Sequence, residues 1–264
     1  MLRYLPLPML MGAVTGVLLA RERRIRRNVE RLGAATLEAL LDAIAANNPE
    51  TGEHVRRVAN YSLILADAAD LTDRECHEVE RVALFHDIGK LDGAVSDIVQ
   101  IEQVLTAEDR EALRTHPERG ALVLRPLGAF YPELPEGVLA HHERWDGTGY
   151  PRQLRGKEIP FTARLVSIAD TFDAITHARS YSRAKSLDAA VRVIENERGK
   201  QFDPELVDLF LMPPVQSDIA KALKAAFAPR RANNQRRRQE TRRDTPDINF
   251  RWRKEAPRLL RADR

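Results

Sequence analysis

Between Leu5 and Ala20 every position is apolar, Gly, Pro or Thr, and five arginines then crowd into residues 21–27. Beyond them the pattern turns amphipathic. Leu32, Leu37, Leu40, Leu41 and Ile44 recur at helical spacings until Asn47, Asn48 and Pro49 stop the run. A second helix is expected over residues 53–69. Thr72 and Glu75 have the spacing of a capping box, in which hydroxyl and carboxylate satisfy reciprocal backbone donors at a helix start. The helix they open runs into Phe85, His86 and Asp87. Further helices are expected over residues 107–114, 117–127, 136–143, 161–177, 187–197 and 204–211. Nowhere does strand-like alternation persist, so the pattern predicts an all-α fold, a single helical bundle domain over residues 29–212 without internal repeats.

Charge sets off the two ends. Residues 230–264 carry 13 Lys/Arg against 5 Asp/Glu, so the tail is strongly basic although the whole chain is only +3, and residues 1–229 sum to −5. Apolar residues are too sparse there to bury a core, and residues 213–264 read as a linker and a disordered basic tail. Nucleic acid is an unlikely partner for the folded part, because the positive charge lies outside it. Residues 1–28 read either as a membrane anchor with a basic flank or as an apolar N-terminal helix. The run is short against the ~20 residues of a span. If it inserts, the arginines behind it keep the remainder on the cytoplasmic face of the inner membrane. One cysteine, Cys76, excludes an internal disulfide framework and suits a cytoplasmic protein.

The candidate chemistry lies in histidines beside acids. Glu50 and His54, four apart, can face one way on a helix. His86-Asp87 emerges from the apolar segment Val82, Ala83, Leu84, Phe85, where a buried carboxylate needs either a divalent cation or a hydrogen-bonded imidazole. Lys90 follows one turn later, placed to meet an anion or to answer a helix C-terminus. His116 and the pair His141-His142 fall at helix margins, and Asp170 lies among Ala163, Leu165, Val166, Ile168 and Ala169. Together these form a mixed N/O set suited to two or three first-row ions rather than a thiolate zinc site.

The same residues fall in an ordered pattern. Thr51-Gly52-Glu53-His54 precedes His86-Asp87-Ile88-Gly89-Lys90, then His116-Pro117-Glu118-Arg119-Gly120. After these come His141-His142-Glu143-Arg144-Trp145-Asp146-Gly147-Thr148-Gly149-Tyr150-Pro151, then Ala169-Asp170 through Asp173, and Gln201 through Pro204. Over roughly residues 50–211 the chain resembles the HD-GYP subgroup of the HD-domain metal-dependent phosphohydrolases. The resemblance implies an HD-type helical bundle in which His54, His86, Asp87, His116, His141, His142 and Asp170 bind metal. Asp87 would bridge two ions, and Glu50 corresponds to the acid that admits a third. It implies iron or manganese, and a phosphodiesterase that opens cyclic di-GMP or a related cyclic dinucleotide to a linear dinucleotide and sometimes GMP, in bacterial signalling. Asp87 and Lys90 are then the catalytic pair, and Gly149, Tyr150, Pro151, Arg179 and Arg183 face the substrate.

Two departures stand out. Leu91-Asp92-Gly93-Ala94-Val95-Ser96 replaces the family's usual Ile-Pro and Lys-Pro-Gly segment, and Arg179-Ser180-Tyr181-Ser182 replaces Arg-Pro-Tyr-Arg. The second change leaves a non-catalytic cyclic dinucleotide receptor as a rival, with a mononucleotide HD nucleotidase as a third reading. A regulatory protein partner is not identified by the sequence.

Overall fold

A computed structural model describes residues 7–91, 106–177 and 184–227. Ten α-helices run through them: α1 (Leu7–Asn47), α2 (Pro49–Ala68), α3 (Asp73–Phe85), α4 (Ala107–Arg114), α5 (His116–Leu124), α6 (Glu133–Ala140), α7 (Phe161–Thr176), α8 (Leu187–Asn196), α9 (Pro204–Phe210) and α10 (Pro213–Phe227). Three 3₁₀ turns, Ile88–Leu91, Arg125–Ala129 and Gly156–Glu158, join them. The fold is all-α, with no strand among the described residues. These residues divide into two compact units, parting after Leu40.

The first unit is the run of α1 up to Leu40. Its apolar residues 7–20 make about 21 Å of helix before the arginines begin, short of a hydrocarbon core of about 30 Å. Among the described residues no helix is long and apolar enough to cross a membrane.

The second unit is the bundle. Local sequence sets its helix starts. Asn48 accepts the backbone N–H of Thr51 at 3.1 Å and Pro49 occupies the first turn of α2, where a missing N–H costs nothing. The capping box of α3 forms as expected, with Thr72 N–H donating to Glu75 Oε2 at 2.9 Å. Helices α2, α3 and α7 pack on one another around fully buried Tyr61, Leu65, Leu84, Phe85, Phe172 and Phe210. Tyr61 meets Phe172 edge-on at 4.9 Å between ring centroids. Each such side chain contributes about 1.5–3 kcal/mol by leaving water. This rigid centre carries His54 on α2, His86 directly after α3 and Asp170 on α7.

A second layer, α5 against α6 and against the turn Ile88–Leu91, carries the remaining histidines. Gly89 sets its spacing: a Cβ there would lie 2.0 Å from the carbonyl oxygen of His116, so only glycine lets α5 approach this closely. Helix α6 ends at Ala140 rather than 143, which leaves His141 and His142 on the turn that follows.

The expected boundary at residue 212 needs correction. Residues 213–227 form α10, which packs on α2 and buries Val215 and Ile219, one turn apart. The prolines at 213 and 214 occupy the first turn of this helix. The segments holding Arg179 and Arg183, the departure over residues 92–96 and the basic tail lie outside the described residues.

Candidate metal centre

Three elements bring their side chains to one point. His54, His86 and Asp170 place a ligand atom each within 4.8 Å of one another, and so, beside them, do His116, His141 and His142. Asp87 stands between the two groups. Its Oδ2 lies 3.5 Å from His86 Nε2 and 3.7 Å from His54 Nε2, while its Oδ1 lies 3.3 Å from His116 Nε2 and 4.0 Å from His141 Nε2. One carboxylate oxygen therefore addresses each group, the disposition of a bridging ligand.

The outer ring nitrogens are already committed. Nδ1 of His86 lies 2.8 Å from the Ala83 carbonyl, Nδ1 of His116 2.6 Å from that of Leu113, and Nδ1 of His141 2.6 Å from that of Val138. His54 Nδ1 lies 2.7 Å from Asp173 Oδ2. Every one of these partners is an acceptor, so each Nδ1 carries a proton and each Nε2 is turned inward, where it offers a lone pair once deprotonated. Two consequences mark the centre as built for cations. Among the described residues the Nε2 atom of His86 is buried without a hydrogen-bond partner, and that of His54 faces Asp170 Oδ1 at 3.3 Å and Asp87 Oδ2 at 3.7 Å. His116 and His141 face each other Nε2 to Nε2 at 3.1 Å, lone pair against lone pair. The residues present thus fit two divalent ions, and imidazole with carboxylate suits first-row metals.

A cleft of about 350 Å³ opens onto His141, His142 and Asp170, walled by Tyr150, Arg114 and Gln201. The loop after His142 forms one side. Its buried Glu143 accepts the backbone N–H groups of Arg152 at 2.6 Å and Leu154 at 3.0 Å. Backbone N–H groups of Trp145 and Asp146 donate to the carbonyls of Gln201 and Lys200, which ties the loop to the start of α9. A Cβ on Gly149 would fall 2.3 Å from the Arg144 nitrogen. With glycine there, Tyr150 stacks on His142 with centroids 4.9 Å apart.

The sequence profile of the HD domain family matches residues 38–206. The chain belongs to that family. The chain is similar to a cyclic di-GMP phosphodiesterase of Thermotoga maritima, 38% identical over 61% of this chain and 44% of the relative. A 3'3'-cGAMP-specific phosphodiesterase 2 of Vibrio cholerae is 34% identical over 65% of this chain and 33% of its own length. The chain thus spans less than half of either relative. Among solved structures, the HDG"Y"P protein Bd1817 of Bdellovibrio bacteriovorus aligns at a TM-score of 0.50 and 25% identity, over 64% of this chain and 51% of that one.

Electrostatics in this HD domain favour ligation. Burial pushes His86 and His141 below the ordinary imidazole value, helped at His141 by the neighbouring His142, His116 and His86. Burial, then His116, takes His142 down to about 3. All three are neutral at pH 7, the form that can ligate a metal. Burial also acts on His54, but hydrogen bonds and charge from Asp170 and Asp173 outweigh it and raise His54 to about 9. Without a cation, His54 is therefore the proton that balances the acids, and an ion would take its place. Burial would raise Asp87 and Asp170; instead Lys90 and His86 hold Asp87, and His54 and His86 hold Asp170, well below the usual carboxylate range.

Of the residues expected at the site, His54, His86, Asp87, His116, His141, His142 and Asp170 converge, and Lys90 joins them through its Nζ, 2.7 Å from Asp87 Oδ2. Glu50 does not: it is exposed in the first turn of α2 and belongs to neither group. Asp173 was overlooked as a site residue. Fully buried, it accepts from Arg57 Nε at 2.7 Å and Nη2 at 2.9 Å, and lies 3.0 Å from His177 Nδ1, besides holding His54. The signal available was its place one helical turn after Asp170, on the same face.

Proposed function

We propose that this HD domain is a metal-dependent phosphodiesterase that hydrolyses cyclic di-GMP to a linear dinucleotide, using two iron or manganese ions. The observation that carries the reading is Asp87, with one oxygen toward each three-ligand group, among imidazoles of which His54, His86, His116 and His141 turn Nε2 inward. The names borne by the Thermotoga and Vibrio relatives supply the substrate class.

In this reading His54, His86 and Asp170 hold one ion, His116, His141 and His142 the other, and Asp87 is shared. Bound there, the ions supply Lewis-acid stabilisation of charge building on the phosphodiester and acidify water. The protein does the rest. Lys90 brings an ammonium to the edge of the centre where the phosphate's negative charge grows, and Asp87 orients that ammonium. Tyr150 lines the cleft and holds the His142 ring in place by stacking on it. Gly149 and Pro151 shape the turn behind it, while Arg179 and Arg183 remain candidates for substrate contact. A third ion would require Glu50 to turn inward, and the two three-ligand groups suit two ions. Exposed Leu18 and Leu19 beside Arg21 suit attachment to a membrane surface rather than passage through it, which cosedimentation with anionic vesicles tests.

The deciding experiment loads the purified full chain with Fe(II) or Mn(II) under anaerobic conditions and follows cyclic di-GMP by chromatography. Conversion to the linear dinucleotide is expected. Intact cyclic di-GMP and 3'3'-cGAMP in the metal-loaded protein overturn the hydrolase, and tight binding without product selects the receptor. Turnover of 3'3'-cGAMP alone selects that related cyclic dinucleotide as the substrate, in line with the Vibrio relative's name.

A further inference from the structure

The cleft has two arginines in its wall, and they are in opposite states. Arg144 is spent on the protein: it donates to Thr148, Gln201, Asp146 and Glu197 at 3.0–3.2 Å. Lys90, at the metal centre, is held by Asp87. Arg114, the last residue of α4, is different. It is exposed and lines the cleft, and among the described residues it has no carboxylate within ion-pair distance. Its guanidinium carbon sits 4.5 Å from the centroid of the Tyr150 ring, the same ring that stacks on His142. A cation over an aromatic face is oriented without being neutralised, and its in-plane N–H groups stay free for an anion.

We infer that Arg114 is the substrate-binding residue for the second, non-reacting phosphate of a cyclic dinucleotide, an assignment that rests on the phosphodiesterase reading above. The reacting phosphate belongs over the two histidine groups, where Lys90 already supplies positive charge. Arg114 forms no ion pair with Asp87 or Asp170 and stands instead on the Tyr150 wall. A cyclic dinucleotide carries two phosphodiesters, and a guanidinium fork fits the oxygens of the one that is not cleaved. This position sets substrate class: the site gains from Arg114 only when the ligand has a second anionic group.

The test compares wild type, Arg114→Gln and Arg114→Lys in the Mn(II)-loaded full chain, using cyclic di-GMP and bis(4-nitrophenyl) phosphate, a diester with a single phosphate. For Arg114→Gln the ratio of kcat/KM between the two substrates is expected to fall about tenfold or more. The loss should lie in KM for cyclic di-GMP, with metal content at the wild-type level. Arg114→Lys should recover part of it. An unaltered KM for cyclic di-GMP in Arg114→Gln, or equal losses on both substrates, overturns the assignment while leaving the hydrolase intact. A wild type that neither binds nor cleaves cyclic di-GMP removes the phosphodiesterase reading and this inference with it.

Discussion

Replacing Asp173 by Asn changes few atoms but removes the acceptor on which three side chains converge. His54 Nδ1 and Arg57 Nη2 both address Oδ2, at 2.7 and 2.9 Å, while Arg57 Nε and His177 Nδ1 address Oδ1, at 2.7 and 3.0 Å. Asn has one oxygen and one NH₂, so in either orientation one pair of donors meets another donor. Breaking a buried ion pair costs about 3–5 kcal/mol. The Arg57 side chain keeps 20% exposure, so solvent relieves part of this, and the expected loss of folding stability is about 2–4 kcal/mol. A second effect is separate from stability. Without the carboxylate, His54 loses the partner that fixes its tautomer, and metal affinity should fall about 10–100-fold. Urea unfolding of metal-stripped protein reads the first quantity, and competition with a chromophoric chelator, below the unfolding transition, reads the second. Asp208→Asn, at the exposed pair with Arg198, serves as control and should leave metal affinity in place. Wild-type metal affinity in folded Asp173→Asn would refute the claim that Asp173 positions His54.

Asp87→Ala removes the ligand common to both groups, so metal content by elemental analysis and turnover of cyclic di-GMP should vanish together; turnover without Asp87 would break the assigned chemistry. Gly149→Ala drives a Cβ to 2.3 Å from the Arg144 nitrogen, so the loop must shift; kcat/KM should fall about tenfold or more while metal content persists. In metal-stripped protein, His86, His141 and His142 titrate below their unfolded value of about 6.5. The unfolded chain then binds the extra protons, and stability must fall as pH drops from about 7 toward 5. His54, raised to about 9, has the opposite sign: its contribution is complete below about 6.5 and is lost as pH rises through about 9. Urea midpoints at several pH values should therefore peak near neutrality, and a flat profile on the acid side would count against neutral buried histidines.

The sequence was most informative where chemistry and local pattern coincide. His86-Asp87 follows an unbroken apolar run, and a buried acid beside an imidazole signals a centre whatever the fold. His141-His142 and Asp170 became interpretable through the ordered motif. Helix limits were readable where stop signals are local, as at Asn47 to Pro49 or the capping box of Thr72. Elsewhere reading failed. Pro213 and Pro214 begin α10 within the segment expected as a linker, where only Val215 and Ile219 are buried. Asp173 looked like part of a pattern because its partner Arg57 is 116 residues away in sequence, and no periodicity reports that separation. Arg114 ends a helix as many cations do, and only the fold places it over Tyr150. Glu50 and His54 share a helix with suitable spacing, but only one of them faces inward.

The carbonyls that orient His86, His116 and His141 belong to Ala83, Leu113 and Val138, each in the last turn of a helix: α3, α4 and α6. Helix ends leave carbonyls that need donors from elsewhere, and here imidazoles supply them. For these three histidines the protonation pattern is thus written in main chain, beyond the reach of point substitution at the partner, and it is lost only if a helix end unwinds. His54 alone depends on a side chain for the same service. Its partner, Asp173, is therefore the place where evolution or an engineer can retune one ion's affinity while the three backbone-oriented histidines stay as they are.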